Sequence, residues 1–186
     1  MSGRRKGQFF ILGALLLCTA FFLALPAQVT LTGTPTSDME RLASNIGSEI
    51  PRALNLAILE DGTPDRLGDF SSFLRQSTRD RYLTLESLWV ATVPDPDTGD
   101  LEVYAGNWLG GPVTASVTID GDEETFALSD EEIESEVFSD PGSEFTLQVS
   151  FGGRTWSAGV ARDKVNLYSY LSLSRGENTI VRDISA

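Results

Sequence analysis

From Gln8 to Leu25 the chain is apolar almost throughout and carries no charge. That is about the length a helix needs to cross a bilayer core. A charge at the centre of such a helix would cost on the order of 2.5 to 3.5 kcal/mol, so the uncharged run predicts a transmembrane helix over 8–26. The basic residues beside it are Arg4, Arg5 and Lys6, and they orient the helix with its N-terminus in the cytoplasm. Everything after Pro26 is then expected outside. A cleavable secretory signal would share the basic start and apolar middle. Its core is usually roughly 7 to 15 residues, however, and its cleavage site needs a small residue where Leu25 stands before Pro26-Ala27. A lipoprotein would need a small residue before Cys18, where Leu17 lies.

Beyond a Thr/Gly/Pro-rich linker over 27–37, the pattern becomes helical. Ser37-Asp-Met-Glu40 has the form of a capping box. Met39, Leu42, Ala43, Ile46 and Ile50 then recur at steps of three and four, with Leu54, Ala57 and Ile58 extending the stripe. Pro51 is expected to kink or interrupt this helix. Thr63 as cap and Pro64 at the first helical position start a second helix, whose buried face is Leu67, Phe70, Phe73 and Leu74. The two amphipathic helices occupy 38–82.

From Tyr82 the period shortens to that of strands. Leu83, Leu85, Leu88 to Val90 and Val93 lead into Asp95-Pro-Asp-Thr-Gly-Asp100, a strong turn signal, so a hairpin is predicted. Further strand-like runs are 101–108, 113–119, 125–128, 144–151, 155–161, 165–174 and 179–184, separated by Gly-rich or acidic turns. The expected fold is α+β: an N-terminal transmembrane helix, two amphipathic helices, then an antiparallel β-sandwich or curled β-sheet over 83–186.

Composition narrows the chemistry. The single cysteine, Cys18, lies in the apolar run, so the exterior domain has no disulfide and depends on burial. With no histidine in the chain, histidine-dependent triads and histidine zinc sites are excluded. All 27 acidic residues but only 11 of the 14 basic ones follow Pro26, a formal charge of about −16 for the exterior part. Such a surface repels nucleic acid and anionic lipid. Arginines outnumber lysines twelve to two, a balance similar to that of proteins from salt-loving archaea. In molar salt the Debye length is about 3 Å, which screens the mutual repulsion of the carboxylates.

Lys6-Gly7-Gln8 directly before the apolar helix resembles the class III signal of archaeal type IV pilin-like proteins. In that family a dedicated peptidase cuts between the basic-plus-Gly stretch and a Gln, and the apolar helix is retained for assembly. The resemblance covers about twenty residues, and it implies Gly7 and Gln8 as the processing site. The chain departs from the family pattern at Phe10 and Leu12, where Ser and Glu are usual. The missing Glu argues for an accessory pilin or an anchored partner over a major pilin.

Other candidate groups read mainly as structure. Asp95, Asp97 and Asp100 offer oxygen ligands to calcium, but Asp-Pro-Asp-Thr-Gly is equally what a hairpin turn requires. Asp120, Asp122, Glu123, Glu124 and the run Asp130 to Glu136 read as solvated acidic surface. Trp89, Trp108 and Trp156 fall on strands among alternating apolar residues and are expected in the core. Arg75, Arg79 and Arg81 with Asp80 read as the solvated face of the second helix. Gly110-Gly111 and Gly152-Gly153 lack the Lys-Ser/Thr of a phosphate loop and are turns.

These features anticipate a single-pass cell-membrane protein without enzymatic activity or cofactor. It would be an accessory pilin-like or filament-stator-like subunit meeting other envelope or pilus proteins, in a homo- or hetero-oligomer. An anchored ligand-binding module using the tryptophans or acidic loops is the alternative. A hydrolase built on paired carboxylates is more remote, since no pair is singled out among so many.

Overall fold

The computed structural model describes residues 35–59 and 65–185. The predicted transmembrane helix over 8–26, its flanking Arg4, Arg5 and Lys6, the Gly7–Gln8 junction and the helix start at Thr63–Pro64 lie outside the described residues. Among the described residues no helix is long and apolar enough to cross a membrane.

Two helices and two antiparallel sheets make up the domain, an α+β fold rich in sheet. Helix α1 spans Pro35–Leu59 and α2 spans Asp65–Arg79. Nine strands follow: β1 Thr84–Pro94, β2 Leu101–Trp108, β3 Val113–Ile119, β4 Asp122–Leu128, β5 Glu132–Phe138, β6 Glu144–Phe151, β7 Arg154–Ala161, β8 Asn166–Arg175 and β9 Asn178–Ser185. They form a five-stranded sheet, β5-β2-β1-β8-β9, and a four-stranded sheet, β4-β3-β6-β7.

The five-stranded sheet is the middle layer. One face, with Leu88, Val90, Leu101, Val103, Ala105 and Tyr168, packs on Val117, Phe126, Leu147 and Val149 of the other sheet. Its opposite face, with Leu85, Trp89, Ala91, Trp108, Leu167, Leu171 and Leu173, is covered by Met39, Ala43, Ile46, Ile50, Leu54 and Leu67 of the helices. Adjacent residues of β1 therefore enter two different cores. This is why the strand is buried almost end to end instead of alternating with polar residues.

On the helix side Trp89 and Trp108 stack with centroids 6.1 Å apart. Room for them comes from Gly106, where a Cβ would fall inside the Trp89 indole and 2.9 Å from Trp108 Cζ3. Trp108 donates from Nε1 to Ser72 Oγ at 3.0 Å, which fixes α2 to the sheet. The tryptophan expectation holds for this pair.

Several expectations are corrected in detail. Pro51 does not interrupt α1, which runs unbroken because the buried stripe continues through Ile50, Leu54 and Ala57 on both sides of it. The helix begins at Pro35, so Ser37 sits in its first turn instead of preceding it. The acidic run over 130–136 contains a strand, β5, which lay hidden because Glu132, Glu134 and Glu136 occupy the positions on the face toward the second sheet that Val or Leu would mark. Arg75 is not solvated. Its side chain is 15% exposed and its Nη1 lies 2.8 Å from Asp130 and 2.9 Å from Glu131, tying α2 to the β4–β5 turn. Arg79 and Arg81 are exposed as expected.

The turn reading of Asp95 to Asp100 holds. Asp95 Oδ1 accepts from the Asp97 amide at 2.9 Å, and backbone bonds from Asp95 to Asp100 and from Gly99 to Asp95 close the hairpin. Asn107, fully buried, donates to Gly111 O and Ser129 O at 2.8 and 2.9 Å and accepts from Leu109 N, joining the ends of β2 and β4. Tyr82 sits just past α2 with φ 57°, in the left-handed position that closes a Schellman-type end: Leu83 N donates to Thr78 O and Tyr82 N to Arg79 O.

Two outcomes are expected. Gly106→Ala overpacks the stacked indoles and should lower unfolding free energy by about 3 kcal/mol in chemical denaturation; an unchanged midpoint would contradict the packing described. Burial works to raise the Asp130 carboxyl, but hydrogen bonds from Arg75 and the Gly110 amide outweigh it and hold the group below its ordinary 3.8. Its stabilising effect is thus present at neutral pH and is lost as pH falls below 3.8 through the lower folded value. Asp130→Asn should lower the melting temperature most near pH 7, with the gap to wild type closing in acid.

Candidate interaction surface

The sandwich has two lateral edges. One is formed by β4 and β5 and the other by β7 and β9. On the β7–β9 side the Gly152–Gly153 turn, with φ of 51° and 74°, reverses β6 tightly into β7. Strand β7 then runs with Trp156, Ala158 and Val160 half-buried toward the sandwich and Thr155, Ser157 and Gly159 exposed.

The groups gathered there form a small network. Trp156 stacks on Tyr168 with centroids 4.6 Å apart, and the Arg154 guanidinium lies 4.7 Å above the Tyr170 ring, which meets Phe151 edge-on. Tyr168 donates to Asp183 Oδ1 at 2.9 Å, while Asp183 Oδ2 is 3.5 Å from Arg154 Nη2. Burial, followed by the hydrogen bond and charge of Asp183, pushes the Tyr168 phenol well above its ordinary range. It remains a donor at any physiological pH. A shallow cleft of about 270 Å³ opens over Arg154, Thr155, Trp156, Tyr168 and Asp183.

At the other end of β7 a second open cleft of about 340 Å³ is lined by Ser143, Glu144, Ala161, Arg162 and Asp163. Arg162 Nη1 donates to Asp140 Oδ1 and to Pro141 O, each at 2.9 Å, so its head is anchored beside the strand end. Arginines therefore flank β7 at both ends, about 26 Å apart at roughly 3.3 Å per residue.

Acidic residues concentrate at the β4–β5 edge, whereas at the β7–β9 edge Arg154 and Arg162 stand with Asp140, Glu144, Asp163 and Asp183. Between Tyr82 and Gly153 there are 16 acidic residues and no basic one, and eight of the acids fall in 122–136, which forms β4, β5 and their turn. From Arg154 onward five basic residues stand against three acidic ones. Residues 155–161 of β7 carry no charge and no proline.

The structure does not bring together all the groups singled out in the sequence. Trp156 is separated from Trp89 and Trp108 by the middle sheet, so the three tryptophans form no common surface. Asp95, Asp97 and Asp100 form the β1–β2 turn, and Asp120 and Asp122 border the β3–β4 turn. Sequence reasoning missed the Arg154–Tyr168–Asp183 network, whose members are far apart in the chain. The uncharged stretch 155–161 was the legible signal for this edge. Comparisons with protein-family models, with curated proteins and with solved structures found no match.

Removing the hydroxyl tests the network: Tyr168→Phe should cost about 1.5 to 3 kcal/mol of stability, the worth of a hydrogen bond to a charged acceptor. Arg154→Met, at an ion pair whose members are 44% and 42% exposed, should cost less than about 1 kcal/mol. Equal losses from both, read by urea denaturation, would contradict the assignment of Tyr168 as the central donor.

Proposed function

We propose that this chain is a membrane-anchored extracytoplasmic structural or interaction protein, an accessory pilin-like or filament-stator-like subunit of the archaeal cell envelope. The uncharged, unpaired edge of β7 on an otherwise strongly acidic domain carries the reading. Such an edge presents free backbone N–H and C=O groups to another chain. The apolar run from Gln8 to Leu25, preceded by Arg4, Arg5 and Lys6, supports anchoring with the domain outside. Burial of Trp89 and Trp108 favours assembly over a tryptophan-lined binding face. A non-enzymatic role fits the β7–β9 network, where Asp183 is shared between Tyr168 and Arg154 and each polar group serves another.

An anchored ligand-binding module is the second reading. It is favoured by the open cleft at Trp156 alone, and the Trp156 ring is already stacked on Tyr168.

N-terminal sequencing of the protein from the membrane fraction tests the pilin-like reading. Cleavage between Gly7 and Gln8 should give a mature chain starting at Gln8, and Gly7→Leu should abolish the cut. A chain starting at Met1 or Ser2, or near Gln28 as a secretory signal would leave it, overturns pilin-like processing.

A further inference from the structure

Both helices cross the middle sheet at the same row of paired residues. A Cβ on Gly47 of α1 would lie 3.3 Å from Ile184, and one on Gly68 of α2 would lie 2.7 Å from Ile133. Ile184 pairs with Ser169 and Ile133 with Gly106, and these two flank Trp89 in the sheet. From Gly68, α2 runs past Ser72 on Trp108 and Arg75 on the β4–β5 turn to its end at Arg79, about 16 Å further on. The segment 60–64 joins Leu59 to Asp65 with a reach of about 21 Å. Were α1 parallel to α2, Leu59 would lie about 18 Å past the Trp89 row on the Arg79 side, with Asp65 on the other side of that row and at least three strand spacings away. That gap exceeds the reach, so α1 is antiparallel to α2. Pro35, about 18 Å before Gly47, comes to the same end of the domain as Arg79.

At this end the α2–β1 connector lies beside the β8–β9 turn, because Thr84 pairs with Ser174 and Arg175 with Asn178. Arg79, Arg81, Tyr82 and Arg175 are exposed there, and among the described residues none of the three arginines has an ion-pair partner. Tyr82 is 91% exposed at φ 57°. Glycine would take this left-handed position without strain, and a side chain so exposed returns nothing to the fold. Arg75, Arg79, Arg81 and Arg175 balance Asp80, Asp130, Glu131 and Glu177 at this end. The turns at the opposite end, 95–100, 120–122, 140–144 and 162–164, hold eight carboxylates against Arg162 and Lys164.

We infer that the neutral end is a membrane-surface contact: Tyr82 seats at the headgroup level of the bilayer that holds the chain, with Arg79, Arg81 and Arg175 on lipid phosphates. The point where the chain enters the domain selects this occupant. Residues 27–34, between the apolar run and α1, span at most about 28 Å, so a chain held by that run presents this end to the lipid and not the acidic one. A phenol ring on a polar tip and arginines with long apolar stems are the side chains that suit a wet, anionic interface. Tethering supplies the local concentration that a neutral surface needs to stay on lipid. The inference rests on the anchored reading above and deepens it by naming what the exposed domain touches.

The test uses the full chain with Cys18→Ser, in vesicles of phosphatidylglycerol and phosphatidylcholine that carry a nitroxide on a fraction of their headgroups. A fluorophore on Thr84→Cys, two residues past Tyr82, should be quenched at least about threefold more than one on Thr98→Cys in the opposite turns. Arg79→Gln with Arg81→Gln, or Tyr82→Gly, should bring the label at 84 down to the level of the label at 98. In neutral detergent neither variant should melt below wild type, because the arginines are unpaired and glycine relieves the strain at φ 57°.

Equal quenching at the two positions in chains that float with the vesicles would overturn the contact and leave the anchor standing. Quenching that survives both variants would overturn it too, as would a Tyr82→Gly chain that melts lower and so shows the ring serving the fold. A chain that fails to float with the vesicles loses both the anchor and the contact.

Discussion

Everything in this domain depends on a five-stranded sheet buried on both faces. The only cysteine lies outside the domain, so no disulfide assists, and stability must come from apolar burial and satisfied polar groups. Two cores share one sheet: Leu88 and Val90 point into one while Leu85, Trp89 and Ala91 point into the other. Such a strand has little solvent face, and its one charged residue, Glu86, lies near its start. The helix layer is held in place by a few specific devices. Trp108 donates to Ser72, Gly106 makes room for the Trp89–Trp108 stack, and Arg75 reaches across to Asp130 and Glu131. The chain accepts a left-handed tyrosine at Tyr82, a conformation costing roughly 1 to 2 kcal/mol outside glycine. That places Leu83 directly in the core as α2 gives way to β1.

The polar account follows from the same layering. With the middle sheet closed off above and below, backbone groups can meet another chain only along the lateral edges, and the distribution of charge differs between those edges. One edge concentrates carboxylates, several of them held by local hydrogen bonds. Glu132, for example, accepts from Ser129, which keeps its carboxyl below the ordinary range. The other edge collects the arginines and joins them to aromatic rings and backbone oxygens, as with Arg154 over Tyr170 and Arg162 on Pro141. A molecule with a large net negative charge thus has one side on which arginines and carboxylates offset one another.

Much of the fold was legible in the sequence because its periodicities are those of half-buried elements. The α1 stripe, the turn at Asp95 to Asp100, and the strands 101–108, 113–119 and 144–151 all follow from spacing and turn residues alone. β5 was not legible, because its inward positions carry Glu in place of apolar residues, and a period of two shown by charges reads as solvent. The unbroken α1 escaped because local proline chemistry was weighed without the packing on either side that overrides it. The edge network escaped for a different reason. Arg154, Tyr168 and Asp183 are joined only by strand order, which no local pattern encodes, although the absence of charge over 155–161 was visible all along.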